Sequence, residues 1–351
     1  MKPTKETNMK ISQATTITRA AIASAIALNA EGRSRDAEYI IPFWVSAAGI
    51  GKTTSLRDLA RSLGLTPITL LGSQYDPAEL AGWALPIEGG DRMKRSIPDW
   101  LPDGSVPTLL ILDELPQSTT AVQNIFAQMT NEHRVGPHVL PSNCYIVAAG
   151  NRASDRAGTT SIPTHLRDRL LFLEIDADVE DTVSYFAKVG VDERVAAYLR
   201  HRPEYLSQFD SAANSCPSPR SWERVGSILS FGIDPQCMTF AIQGQVGKAA
   251  TADFMGYLRV YAEMPDIDLL IANPHTAPLP HNPAILHAVC AALSRRIKDE
   301  NAANIMTYIK RIPQQEFAAY TVKDALARDP DLKQSNALRQ WILSDGRALV
   351  L

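Results

Sequence analysis

The chain has 351 residues, a formal net charge of −3, and 45% hydrophobic and 21% charged residues. That length suffices for two domains or three, and the composition is that of an ordinary globular protein without the basic field of a dedicated nucleic-acid binder. Cys144, Cys216, Cys237 and Cys290 lie far apart with no C-x-x-C pair, and the seven His show no H-E-x-x-H spacing, which argues against a zinc centre or a disulfide framework and fits a reducing cytoplasm. No apolar run reaches the length of a membrane span. Lys2, Lys5 and Lys10 precede an Ala-rich run, but Arg19 and several Thr interrupt it, which is a poor secretory signal.

In chain order, residues 1–11 read as a mobile tail. A helix follows over residues 12–29, capped by Ser12, with Ile17, Ala20, Ala21, Ala25 and Leu28 on its buried face and Ser24 tolerated there. Residues 39–45 form a first strand, residues 53–63 a helix ended by Gly64, and residues 67–71 a second strand. Asp76-Pro77-Ala78-Glu79 opens a short helix, with Asp76 as cap and Glu79 three residues later. Residues 83–98 switch to alternation around Glu88-Gly89-Gly90-Asp91, a hairpin turn. Residues 108–112 are a buried parallel strand ending at Asp113-Glu114, residues 118–132 a helix with Val122, Ile125, Phe126 and Met129 on one face, and residues 144–149 a further buried strand ending at Gly150-Asn151. A short helix carries residues 165–170, and residues 171–175 are the last strand. This β–α alternation predicts a parallel sheet with helices on both faces. Beyond Asp176 only helices are expected: 180–189, 192–200, 220–231 and 241–246, then 254–263, 284–298, 301–311, 314–327 and 335–343, with a Pro-rich link at 274–283. The resulting division is a tail (1–11), an α/β core (12–178) with a hairpin insert (83–98), a helical lid (179–245) and a helical C-terminal extension (246–351).

The chemistry gathers on four sites. Between the first strand and the first helix stands Ser46-Ala47-Ala48-Gly49-Ile50-Gly51-Lys52-Thr53-Thr54, close to G-x-x-x-x-G-K-[ST] with Ser46 in place of the first Gly. Backbone N–H groups of Ala48, Gly49, Ile50, Gly51 and the first helical turn face an anion there, Lys52 reaches β- and γ-phosphates, and the Thr53 hydroxyl sits on Mg²⁺. Asp113 and Glu114 lie sixty-one residues beyond Lys52 and onward. A carboxylate at a strand end holds Mg²⁺ through water, and its neighbour activates a water for attack on the γ-phosphate; a mere strand-end cap is the blander alternative. Asn151 ends another strand and can hydrogen-bond γ-phosphate and water, or simply turn the loop. Arg167, Arg169 and Arg220 carry the charge suited to a transferring phosphoryl group, against a default of surface salt bridging. Pro219 fixes the helix start before Arg220, and Trp222 can anchor it.

In this order the motifs resemble an AAA+ ATPase of the MoxR/dynein-related branch: residues 46–53, 109–114, 148–151, 166–170 and 218–220, with Asp76-x-x-x-Leu80-x-Gly82 before a hairpin and a Ser-Pro-Arg lid motif. The resemblance covers residues 12–245 and does not place residues 251–351. It implies Walker A (Lys52, Thr53), Walker B (Asp113, Glu114), sensor 1 (Asn151), arginine finger (Arg169, with Arg167 as rival) and sensor 2 (Arg220) roles. Arg152, Asp155 and Arg156 stand where its relatives more often have Asn-Pro, and the two Arg add rivals for the finger. It further implies ATP and Mg²⁺, a homo-oligomeric ring, usually a hexamer, in which the finger serves a neighbour's nucleotide, and a chaperone acting on a protein client with a von Willebrand factor A partner. ATP is favoured over GTP because no Asn-Lys-x-Asp motif occurs. The alternative function is a nucleic-acid translocase or motor subunit partnering a nuclease, contacting phosphates through Arg92, Lys94 and Arg95, against the blander account of a hairpin edge kept from aggregating by charge; a nucleotide-gated scaffold without turnover fits the intact Lys52, Asp113, Glu114 and Asn151 poorly.

Overall fold

The computed structural model describes residues 9–33, 39–87, 90, 92–152, 160–210 and 212–344. It divides into two units, Met1–Asp176 and Ala177–Leu351.

The first unit is built on β1 (Ile41–Ser46), β2 (Thr66–Leu71), β5 (Thr108–Asp113), β8 (Cys144–Asn151) and β9 (Leu170–Ile175), ordered β2-β5-β8-β1-β9 with every pairing parallel. Helices α1 (Ile11–Ala30), α2 (Lys52–Ser62), α3 (Pro77–Ala81), α4 (Thr120–Glu132) and α5 (Thr164–Arg167) cover both faces, so β5 and β8 can be almost wholly apolar and buried. Parallel order brings the carboxyl ends of β1, β5 and β8 to one edge of the sheet, the edge at which open α/β sheets bind ligands.

Helix α1 corrects two expectations. Its cap is Lys10 and not Ser12: Met9 bridges Ile175 beside β9, and the Gln13 side chain accepts the Lys10 N–H at 2.9 Å, so residues 9–11 are part of the fold. Its buried face runs through Ala14, Thr18, Ile22, Ala25 and Leu28, leaving Ile17, Ala20 and Ser24 exposed. The turn of the face has a polar cause. Trp44 is fully buried on β1, and its indole N–H donates to Thr18 Oγ1 at 2.8 Å, a bond that no apolar residue at position 18 could provide.

The hairpin insert is present as β3 (Ala84–Pro86) and β4 (Met93–Arg95), antiparallel; of its expected turn, residues 88, 89 and 91 lie outside the described residues. Asp76 and Glu79 form the expected reciprocal cap of α3. A second small hairpin, β6 (Arg134–Val135) with β7 (His138–Val139), follows α4 where no strand was expected.

The second unit is helical. It comprises α6 (Val179–Val189), α7 (Glu193–His201), α8 (Pro219–Ile228), α9 (Pro235–Tyr261), α10 (Ile267–Ala272), α11 (Pro283–Arg296), α12 (Asp299–Ile309), α13 (Gln315–Arg328) and α14 (Asn336–Leu343). The two helices expected at 241–246 and 254–263 are one element, α9, kinked at Gly247 with φ 77° and ψ 171°. Trp222 of α8 packs in one apolar cluster with Tyr198 of α7 and Phe254 of α9, ring centroids 5.2 and 5.4 Å from the Trp222 ring, so α9 carries this core across residues 245 and 246. Trp222 Nε1 also donates to Tyr205 O at 2.7 Å.

Candidate functional site

The loop after β1 enters α2 through Gly51, which caps the helix at φ 101° and ψ 16°. A side chain at Gly51 would meet no neighbour within 4 Å, so the demand there is on backbone conformation. Among the first-unit helices, α4 has a side-chain cap on its amino end; α2 has none, and its first turn carries no acidic residue. The first N–H groups of a helix have no intrahelical partner, and at this end the cap residue offers no side-chain acceptor for them. Ala48 and Thr54 are exposed beside this end, Gly49 and Thr53 half-buried, and Ile50 packs inward. The arrangement suits an anion.

Lys52 projects from the start of α2 into a buried position. Its Nζ donates to Ser46 Oγ at 2.7 Å, to Ala47 O at 3.1 Å and to Asn151 Oδ1 at 3.0 Å. Register explains the convergence: Ser46 at the end of β1 stands opposite Asn151 at the end of β8. The next residue of α2, Thr53, donates its hydroxyl to Asp113 Oδ2 across β8. The other oxygen, Asp113 Oδ1, accepts the backbone N–H of Glu114 at 2.8 Å.

Glu114 adopts a left-handed backbone, φ 56° and ψ 32°, unusual for a residue with a side chain. Such a conformation costs about 1 kcal/mol and persists only where its surroundings enforce it. Here a 3₁₀ turn, residues 115–117, is wedged against β8: a Cβ on Gly150 would fall 2.2 Å from Pro116 Cδ. The Glu114 carboxylate accepts the hydroxyl proton of Ser73, just beyond β2. Ser73 was not foreseen. Nothing local in the sequence marks it, because its place beside Glu114 follows from β2 pairing with β5.

Arg167 and Arg169 lie elsewhere. They precede β9, whose first residue pairs with Ile41 at the start of β1. At about 3.3 Å per residue they stand roughly a strand length, about 17 Å, from the edge that carries Ser46 and Asn151. Both are exposed, and Arg167 Nη2 donates to Ile162 O at 3.2 Å. Arg152 follows β8 at the carboxyl edge of the sheet, where its guanidinium meets Ile175 O at 2.9 Å and pairs with Asp176 at the end of β9. Asp155 and Arg156 lie outside the described residues. Arg220 is the second residue of α8, in the helical unit, with an exposed side chain; Ser218 caps that helix through the Ser221 N–H.

The donor set is one of hard oxygens. Thr53 Oγ1 and Asp113 Oδ2 meet directly, and both face the uncapped end of α2. A hydroxyl and a carboxylate in contact are oxygen ligands that would suit Mg²⁺, whereas among the described residues no cluster of three or more His, Cys, Asp or Glu exists to cage a metal by itself.

No family model matches the chain, and no curated protein does. Solved structures are similar at low identity. The Thermotoga maritima RuvB Holliday junction branch migration motor is 16% identical, with TM-score 0.36 over 79% of this chain and 80% of that one. NtrX from Brucella abortus in complex with ATP is 12% identical, with TM-score 0.37 over 93% of this chain and 68% of that one. These TM-scores are too low to carry a functional argument, which rests instead on the residues of the site.

Proposed function

We propose that this chain is an AAA+ ATPase that binds Mg·ATP at the amino end of α2 and hydrolyses it with Glu114. One observation carries the reading: Lys52, Thr53, Asp113, Glu114 and Asn151, spread over a hundred residues of sequence, converge on one sheet edge, with Lys52 bonded to Asn151, Thr53 to Asp113, and the Glu114 backbone N–H to Asp113. In this reading Lys52 and the loop amides neutralise phosphate, Thr53 and Asp113 would hold Mg²⁺, Glu114 orients and deprotonates the attacking water, and Asn151 senses the γ-phosphate. Mg²⁺, when bound by these residues, would supply charge neutralisation to the phosphates. Among the described residues, the Arg at this edge, Arg152, is engaged by Ile175 O and Asp176, and Arg167 and Arg169 lie at the opposite edge. That placement supports a ring, hexameric in the reading, in which Arg169 or Arg167 completes the nucleotide site of the next subunit and Arg220 reads nucleotide from the helical unit.

Turnover would then remodel a protein client, with a von Willebrand factor A protein as partner, in the cytoplasm. The hairpin supports a protein client over nucleic acid. Trp83, Leu85, Ile87, Met93 and Ile97 are exposed on and beside β3 and β4, Ile97 at 71%, an apolar surface suited to protein contact. Of the three cations there, Arg95 Nη1 is bound to Gly82 O at 2.8 Å. Among the described residues no helix is long and apolar enough to cross a membrane.

Calorimetric titration with Mg·ATP, Mg·ADP and Mg·GTP tests the reading. Wild type should bind the adenine nucleotides in preference to GTP, and Lys52→Ala should lose binding; equal binding by Lys52→Ala would sink the assignment.

A further inference from the structure

Ser46 is the position at which the loop departs from the G-x-x-x-x-G-K-[ST] pattern, and it is the fully buried last residue of β1. A glycine would offer no side chain there. The Ser46 hydroxyl donates its own proton to Ala47 O at 2.8 Å and accepts one from Lys52 Nζ at 2.7 Å. With Ala47 O at 3.1 Å and Asn151 Oδ1 at 3.0 Å, three acceptors meet the three N–H donors of the ammonium. Bonds from a charged donor to buried acceptors are among the stronger ones. A phosphate entering the loop therefore meets a lysine whose protons are engaged, and must displace at least one acceptor. Of the three, Ser46 Oγ is the one this sequence adds. Displacement leaves it little harmed, because its own proton stays on Ala47 O.

We propose that the Ser46 hydroxyl is a positioning group that restrains Lys52 in the nucleotide-free loop and so weakens the affinity for nucleoside di- and triphosphates. The inference rests on the nucleotide-binding reading above. The restraint stabilises the free state alone, since in the bound state Lys52 exchanges the Ser46 oxygen for a phosphate oxygen. Removing the hydroxyl should tighten binding, a direction opposite to that of ordinary damage to a binding loop.

The test titrates Ser46→Ala, Ser46→Gly, Ser46→Thr and Lys52→Ala, beside wild type, with Mg·ATP and Mg·ADP, and follows melting with and without nucleotide. Losing one charge-assisted acceptor predicts Kd values at least about threefold lower in Ser46→Ala and Ser46→Gly. Melting of the nucleotide-free protein should fall in both, while that of the nucleotide-bound protein holds. Ser46→Thr, which keeps the hydroxyl, should return Kd toward wild type. Unchanged or weaker binding in Ser46→Ala, or in Ser46→Gly if the first does not fold, overturns the role of Ser46 provided wild type binds and Lys52→Ala does not. A residue that only packs β1 would lower both melting temperatures and tighten nothing. Absence of nucleotide binding by wild type would instead bring down the underlying reading and this role with it.

Discussion

At the scale of single residues, the site is organised by carboxylates that cannot exchange roles. Asp113 is buried, with both oxygens engaged by Thr53 and by the Glu114 amide, so it is fixed as an acceptor facing α2. Glu114 is half-buried, and Ser73 holds its carboxylate on the other side of the strand end. Asp113→Asn keeps the shape and removes the charge; ATPase rate measured against Mg²⁺ concentration should show a loss of at least about tenfold at limiting metal, in line with an interaction worth upward of 1.4 kcal/mol. A variant with wild-type Mg²⁺ dependence would reassign the metal role. Lys52, Thr53, Asp113, Glu114 and Asn151 were legible in the sequence because each stands at a boundary between an apolar run and a loop, which local pattern reveals. Ser73, Thr18 and the hydroxyl of Ser46 were not. Their partners are set by which strands lie side by side, a property of the folded sheet.

At the scale of elements, small groups hold the reacting ones in place. Gly150 permits the 3₁₀ turn after Glu114 to lie on β8. Gly150→Ala should force the turn away and cost about 1–3 kcal/mol as an overpacked core, read by denaturant unfolding, with ATPase activity falling further than nucleotide affinity. In the helical unit, Arg200 of α7 is buried between Asp324 of α13, Nη2 to Oδ1 at 2.6 Å, and Glu180 of α6, at 3.0 Å. Asp324→Ala leaves Arg200 with Glu180 alone and should destabilise the unit by about 1–3 kcal/mol in the same measurement. His287 of α11 lies beside this pair, against Phe317 and Tyr320. Burial, then the positive charges of Arg200 and His201, push its pKa down to about 4. The unfolded chain, with an ordinary imidazole, therefore binds the proton first as pH falls. Stability should be full above pH about 6.5 and decline down to about 4, and His287→Phe should flatten that slope. An unaltered slope would place the titration elsewhere. Most helices of this unit were legible from their caps and apolar periodicity, but α10, six residues long, was not expected, and α9 was read as two pieces around Gly247, where the helix kinks. The β6–β7 hairpin was missed because its strands are two residues long.

At the scale of the whole molecule, the account has a nucleotide site whose candidate finger is out of reach on the same sheet. Subunits carrying Lys52→Ala and subunits carrying Arg169→Ala, each inactive alone, should regain ATPase activity when mixed, since a mixed ring pairs an intact Lys52 with an intact Arg169. Failure with Arg169 and success with Arg167 would exchange the two, and failure with both would argue against a shared site. The central claim is narrower than assembly: this loop and this carboxylate turn over ATP. Glu114→Gln tests it most directly, by isolating the protein after incubation with Mg·ATP and identifying the nucleotide it retains. The account predicts that the variant keeps unhydrolysed ATP while wild type carries ADP. Hydrolysis by Glu114→Gln at the wild-type rate would contradict it.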